Sequence, residues 1–308
     1  MKIFTSSDYY KRFVRSLCVG NHDIVAGNSE IARFSNGEMH VVVHEDVTDE
    51  GCLVIGSVAP PDEQLLALLT LANTLKRNGA KSVEVFLPYM GYARQDKFKT
   101  GESGGIALIG SLLRAAGVDR VITIDAHSKL DQKLIGLPFT SLSPAPIFVP
   151  AINDLGWNNA TVVAPDEGAL ARAQAVANAL KNPRPIAHLA KIHVNGIVHL
   201  NLTGEVSGRA IIADDIIDSG RTLVSACNML HEKGVQEIAV AVTHGLFTGG
   251  AWKRLFGLGV KALFVSDSCP EAAAQKHPGV QIIPLTPLLP AVLPEVIRKE
   301  KQYENATT

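Results

Sequence analysis

Short runs of β-branched residues alternate along the chain with longer stretches whose apolar positions return every three or four residues. Seven runs read as strands: CLVIGSV (52–58), SVEVFLPY (82–89), RVITIDAH (120–127), ATVVAPD (160–166), RAIIADD (209–215), EIAVAVTHG (237–245) and KALFVSDS (261–268). Between them EQLLALLTLANTLKRNG (63–79), GGIALIGSLLRAAG (104–117), ALARAQAVANALKN (169–182) and TLVSACNMLHEKG (222–234) predict helices, each closing at or near Gly or Asn. Strand and helix in alternation predict the α/β class, with parallel sheets flanked by helices.

The pattern occurs twice. NGAKSVEVFLPY from Asn78 aligns with KGVQEIAVAVTH from Lys233, which sets Gly79 over Gly234 and Val85 over Val240. GVDRVITIDAH from Gly117 aligns with GVKALFVSDSC from Gly259, with Asp125 over Asp267, and GCLVIGSVAPPDEQLLAL from Gly51 lies over GRAIIADDIIDSGRTLVS from Gly208. Three blocks in one order predict a tandem duplication. The break is expected in the proline-rich SLSPAPIFVPAI (141–152), giving domains over 1–145 and 146–308. In this alignment Ser57 and Val58 of the first copy face Asp214 and Asp215 of the second.

Composition agrees with two globular domains: 308 residues, 46% hydrophobic and 19% charged, are enough for sizeable cores. A net charge of -1 with no basic run argues against a nucleic-acid partner. Prolines interrupt the apolar C-terminal IIPLTPLLPAVLPEVI, and the N-terminus lacks a continuous apolar stretch, so no membrane span is expected and the cytoplasm is the expected location. Cys18, Cys52, Cys227 and Cys269 are too scattered for a zinc site or a disulfide framework.

Candidate chemistry concentrates in IIADDIIDSGRTLVSA (211–226). A buried strand runs into DDIIDSGRT and then a helix, and open parallel sheets bind ligands at such strand-to-helix loops. The amides of Ser219, Gly220, Arg221 and Thr222, with two hydroxyls and a guanidinium, suit a phosphate monoester at the positive end of the helix. Asp214 and Asp215 repel that phosphate, but carboxylates accept hydrogen bonds from vicinal hydroxyls. The two features together describe a pentose 5-phosphate. Capping accounts for Asp218 more readily than for a pair of acids at a strand end.

IIADDIIDSGRTL resembles the PRPP-binding loop shared by type I phosphoribosyltransferases and ribose-phosphate pyrophosphokinases. FSNGE (34–38) and PYMGYARQDK (88–97) are similar to segments that pyrophosphokinases have and transferases lack. TIDAH (123–127) and VVAPDEGALARA (162–173) resemble further segments of the same family, in the family's order. The resemblance implies two tandem type I phosphoribosyltransferase-like domains. It implies that Phe34 stacks on adenine, that Asn36 and Glu38 read its edge, and that Arg94, Gln95, Asp96 and Lys97 hold the nucleotide and its phosphates. His127 would help bind the metal of Mg-ATP, Asp166 would serve a second magnesium or the sugar, and Asp214, Asp215, Asp218, Ser219, Gly220, Arg221 and Thr222 would bind ribose 5-phosphate. No GxxxxGK[ST] pattern occurs, so triphosphate binding falls to Arg, Lys, His and magnesium.

Two departures stand out. In HLAKIHVNGIVHLNLTGEVSGR (188–209), Lys191 matches the lysine of the family's catalytic Lys-x-Arg, but His193 occupies the arginine position. Arginine is permanently charged and bidentate, whereas histidine, with an ordinary pKa of about 6.5, is mostly neutral at neutral pH. HEDVTDEG (44–51) and KFKTGESGG (97–105) replace the arginine-bearing stretches tied to allosteric phosphate and ADP, and the second is closer to archaeal-type members. Phosphate activation of the hexameric kind is therefore not expected. A homo-oligomer is, because FSNGE serves a neighbouring subunit in the family. The implied reaction is diphosphoryl transfer from Mg-ATP to ribose 5-phosphate. A phosphoribosyltransferase and a non-catalytic PRPP- or nucleotide-binding relative remain the alternatives.

Overall fold

The computed structural model describes residues 1–19, 22–94, 98–128, 130–181, 185–194 and 197–293, with the backbone alone for 191–194 and 197–200. The chain divides into two compact units, residues 1–142 with the segment from Thr286 onward, and 143–285.

In the first unit the strands are β1 (Lys2–Thr5), β2 (Val25–Ala26), β3 (Ser29–Arg33), β4 (Met39–Val43), β5 (Gly51–Ile55), β6 (Ser82–Leu87), β7 (Arg120–Ile124) and β8 (Phe139–Leu142). Six form a parallel sheet in the order β2-β1-β5-β6-β7-β8, while β3 and β4 pair as a separate antiparallel hairpin. The helices are α1 (Lys11–Cys18), α2 (Glu63–Arg77), α3 (Gly105–Ala115) and the single turn α4 (Asp131–Leu134). On α2 the residues Ala67, Leu68, Leu71, Ala72 and Leu75 repeat at helical spacing and are all buried, joining the core with Val54, Val85 and Val121 of the central strands.

The second unit contains α5 (Ala145–Asp154), β9 (Thr161–Ala164), α6 (Leu170–Ala179), β10 (Ala187–Val194), β11 (Ile197–Thr203), β12 (Arg209–Ile217), α7 (Arg221–Glu232), β13 (Glu237–Gly245), α8 (Arg254–Gly257), β14 (Val260–Ser266), α9 (Pro270–Ala273) and β15 (Val280–Ile283). Its sheet runs β11-β10-β9-β12-β13-β14-β15, parallel except for the β10–β11 hairpin.

Strand order bears out the duplication: β1-β5-β6-β7-β8 of the first unit corresponds to β9-β12-β13-β14-β15 of the second. Matched glycines share their backbone, with φ +89° at Gly79 and +85° at Gly234, and +88° at Gly117 and +78° at Gly259. The ladders correct the third block by one residue. Val85 pairs with Val54 and Val240 pairs with Ile212, so Val54 corresponds to Ile212 and Gly51 to Arg209, not Gly208. The helices agree, since α2 begins at Glu63 and α7 at Arg221. Gly51 and Gly208, alike in type, are not counterparts in the fold. Gly56 and Ser57 therefore occupy the places of Asp214 and Asp215, and Asp62 that of Gly220.

The C-terminal segment also differs from expectation. The chain was expected to stay in the second domain to its end, but the turn Thr286–Val292 returns to the first unit and packs with α1. Leu288, Leu289 and Val292 in this turn are buried, and burying them is what a short apolar segment gains from the return. Among the described residues no helix is long and apolar enough to cross a membrane.

Candidate active site

At the end of β12 the chain leaves the sheet while its carbonyls are still engaged. The Ile217 carbonyl accepts from Leu246 N at 2.8 Å and Phe247 N at 3.3 Å, so the segment after β13 fixes the exit. The chain then turns at Gly220, with φ +80° and ψ 5°, and α7 begins. Only glycine fits there: a Cβ would lie 2.7 Å from Trp252 Cα. Val224 N reaches back to Gly220 O at 2.9 Å, so the amides of Arg221, Thr222 and Leu223 precede the first internal bond of the helix. Among the described residues no side-chain hydrogen bond caps this start. Ser219 is half-buried and Arg221 and Thr222 are exposed. Asp218 accepts a hydrogen bond from the Thr248 hydroxyl, which makes it part of the turn.

Asp214 and Asp215 lie just before this turn, 8% and 6% exposed. Asp214 Oδ1 accepts from Asp215 N at 2.9 Å, and Arg172 of α6 brings its Nη2 to 3.8 Å from Asp215 Oδ2. Burial pushes the Asp214 carboxyl well above the usual carboxylate range, Asp215 adds to the shift, and Arg172 opposes it. Asp166, after β9, accepts from Ala169 N at 3.1 Å and caps the turn leading into α6. Asp166, Asp214, Asp215 and Arg172 thus gather at the C-terminal ends of β9 and β12, where α/β sheets bind ligands. Arg172 was not singled out from sequence, although it is the arginine of VVAPDEGALARA. Trp252 and Thr248 lie about thirty residues beyond the loop they shape and carry no local signal.

In the first unit, FSNGE is the tip of the β3–β4 hairpin. Phe34 N donates to Glu38 O at 2.9 Å, Gly37 N donates to Phe34 O at 2.8 Å, and Asn36 Oδ1 accepts from Glu38 N at 3.1 Å. Arg33 ties the tip down, with Nη1 2.7 Å from Gly37 O and Nη2 2.9 Å from Glu63 Oε2 on α2. Phe34 remains 53% exposed beside His40, their ring centroids 4.9 Å apart. Arg94 is exposed in the turn after β6, and His127 is half-buried in the loop after β7. The fully buried Asp131 holds that loop by accepting from Ser128 N at 3.0 Å.

Gln95, Asp96 and Lys97 lie outside the described residues. Lys191 and His193 are on β10, opposite Leu200 and Val198 of β11, and their side chains are likewise outside what is described. Among the described residues no three His, Cys, Asp or Glu side chains converge as a metal site. A cavity of about 330 Å³ lies at the opposite end of β9, β12 and β13, but Arg209 beside it is already paired with Glu237 at 2.7 Å.

Two parallel sheets of one topology, one ending in an acidic strand and a glycine-started helix, define an α/β protein built from phosphoribosyltransferase-like units. Residues 1–117 match the N-terminal domain of ribose phosphate pyrophosphokinase, and residues 147–251 match the phosphoribosyl transferase domain. The ribose-phosphate pyrophosphokinase of Chromobacterium violaceum is 32% identical over 90% of this chain and 86% of its own, and that of Agrobacterium fabrum 32% identical over 94% of each. The crystal structure of phosphoribosylpyrophosphate synthetase from Mycobacterium smegmatis matches with a TM-score of 0.82 and 27% identity, covering 98% of this chain and 99% of that one. The chain belongs to the ribose-phosphate pyrophosphokinase family.

Two outcomes follow from the geometry. Gly220→Ala is expected to lower the free energy of unfolding by more than the roughly 1–2 kcal/mol of a left-handed backbone alone, because Trp252 must also move. Urea denaturation reads this, and a smaller loss would show that the loop yields. Asp214 binds its proton more tightly folded than unfolded, so its contribution is best below the ordinary carboxylate pKa and declines as pH rises towards the folded value. Asp214→Asn should therefore raise Tm more at pH 8 than at pH 5 in calorimetry of the ligand-free protein. An equal change at both pH values would contradict a buried, proton-retaining carboxyl.

Proposed function

We propose that the chain transfers the diphosphoryl group of Mg-ATP to the 1-hydroxyl of ribose 5-phosphate, giving PRPP and AMP. The observation that carries this is the match to ribose-phosphate pyrophosphokinases across both units, over 90% of the chain in one relative. A phosphoribosyltransferase would need neither the FSNGE hairpin nor the ARQDK segment.

The 1-hydroxyl oxygen attacks the β-phosphorus, and the bond from that phosphorus to the oxygen bridging it to the α-phosphorus breaks. AMP leaves with the electron pair, and the hydroxyl proton passes to solvent. Transfers of this kind ask the protein for in-line placement and charge neutralisation. In this reading Asp214 and Asp215 accept hydrogen bonds from the ribose hydroxyls. The amides from Ser219 to Thr222, the hydroxyls of Ser219 and Thr222 and the Arg221 guanidinium take the 5-phosphate, in a turn braced by Asp218. Phe34, Asn36 and Glu38 receive the adenine, and the exposure of Phe34 at a hairpin tip supports its service to a neighbouring subunit of a homo-oligomer. Arg94, Gln95, Asp96 and Lys97 hold the nucleotide and its phosphates.

Magnesium fits the donors of this reading, because Asp166 offers hard carboxylate oxygens to an ion that retains waters and phosphate oxygens. His127 would contact the metal of Mg-ATP, and Asp166 a second magnesium or the sugar. The ion supplies neutralisation of the phosphate oxygens. Lys191 and His193 are the catalytic pair in this reading. Losing one donor to developing charge costs about 100 to 1,000-fold in rate, so the neutral form of His193 is a poor replacement for arginine.

Phosphorus NMR of the protein with Mg-ATP and ribose 5-phosphate tests both points. AMP and PRPP should form in equal amounts, and AMP alone would redirect the reading to another acceptor. Turnover should be faster at pH 6 than at pH 8, and His193→Arg should flatten that profile; a variant with the parental profile would remove His193 from the chemistry.

A further inference from the structure

We propose that Arg172 is a positioning residue for the sugar, holding the carboxylate of Asp215 as an acceptor for the ribose hydroxyls. The proposal rests on the reading that the second unit binds ribose 5-phosphate. Arg172 and Asp215 approach to 3.8 Å, with both side chains 9% exposed, and they come from different elements, α6 and β12. Burial at this level makes the pair costly unless each charge is matched, and removing one partner strands the other.

The location of Arg172 argues for a role beyond helix stability. It lies in the first turn of α6, the positive end of the helix dipole, where a cation is disfavoured. The sequence of α6, LARAQAVANA, contains no other charged residue. The Asp214 carboxyl feels both Arg172 and Asp166, and Asp166 caps the turn feeding α6.

The test is a double-mutant cycle on the full chain with Arg172→Met, Asp215→Asn and the double variant, together with Arg172→Lys. Steady-state kinetics give kcat and the two KM values, and calorimetry gives ribose 5-phosphate binding. Arg172→Met is expected to raise the KM for ribose 5-phosphate by about 10 to 100-fold, the range for a lost charge-assisted contact, with the KM for ATP unchanged. Arg172→Lys should recover part of that loss. In the Asp215→Asn background the same Arg172→Met change should cost little more, because the group it acts through is gone. A KM for ribose 5-phosphate within twofold of the parent would overturn the proposal. So would an identical loss in both backgrounds, or a fall in Tm and kcat that leaves both KM values alone. Should Arg172→Met not fold, Arg172→Lys decides: a selective rise in the ribose 5-phosphate KM supports the assignment and parental values refute it. A parent protein that binds no ribose 5-phosphate sinks the underlying reading, whereas parental binding by Arg172→Met sinks only this proposal.

Discussion

The left-handed turn at Gly220 is the constraint on which the second unit's ligand face depends. A strand ending and a helix beginning within four residues must reverse the chain direction without a side chain at the pivot, and Trp252 fills the space that one would take. The Ile217 carbonyl is anchored by the segment after β13, so strand, turn and helix start are held from one side. The amides of Arg221, Thr222 and Leu223 then precede the first internal bond of α7, and the acids of β12 lie a few residues earlier along the same chain. Moving Gly220 out of this conformation would displace the helix start relative to the acids, which the β12 ladders hold in the sheet.

That placement costs stability. Two adjacent carboxylates buried to this degree oppose one another, and desolvation of each is worth roughly several kcal/mol before compensation. Arg172 and the amide of Asp215 offset part of this, while Asp214 retains a raised proton affinity. Groups left in such tension mark sites where ligands restore balance. Hydroxyl donors and a cation would relieve the acids, just as an anion would satisfy the helix start.

The strands and helices of the central layers were readable from the chain because their positions carry burial in the pattern itself: α2 and α7 run almost as their apolar spacing predicts. The β3–β4 hairpin left no such trace, since its residues are exposed or half-buried and no core pattern marks them. The loop 214–222 was legible as chemistry because acids, glycine and hydroxyls must be contiguous to make it. Arg172 was not, because its pairing with Asp215 joins positions 43 residues apart that only the packing of α6 on β12 brings together. Chain return at Thr286 was hidden for the same reason: burial of Leu288 and Leu289 says nothing about which core receives them.

The corrected register explains how one fold came to carry two kinds of loop. At the place of Gly220 the first unit has Asp62, whose carboxylate lies 2.6 Å from the Tyr92 hydroxyl at the start of α2. A carboxylate at a helix start already answers the dipole that a phosphate would answer, and repels the phosphate besides. Pro60 and Pro61 stand where Asp218 and Ser219 stand in the second unit, and proline has no amide hydrogen to offer. Gly56 and Ser57 replace the two acids, so the demand for a buried cation vanishes there as well. Each change removes one requirement of a sugar-phosphate site, and together they leave the first unit's strand ends free of the electrostatic strain that the second unit retains.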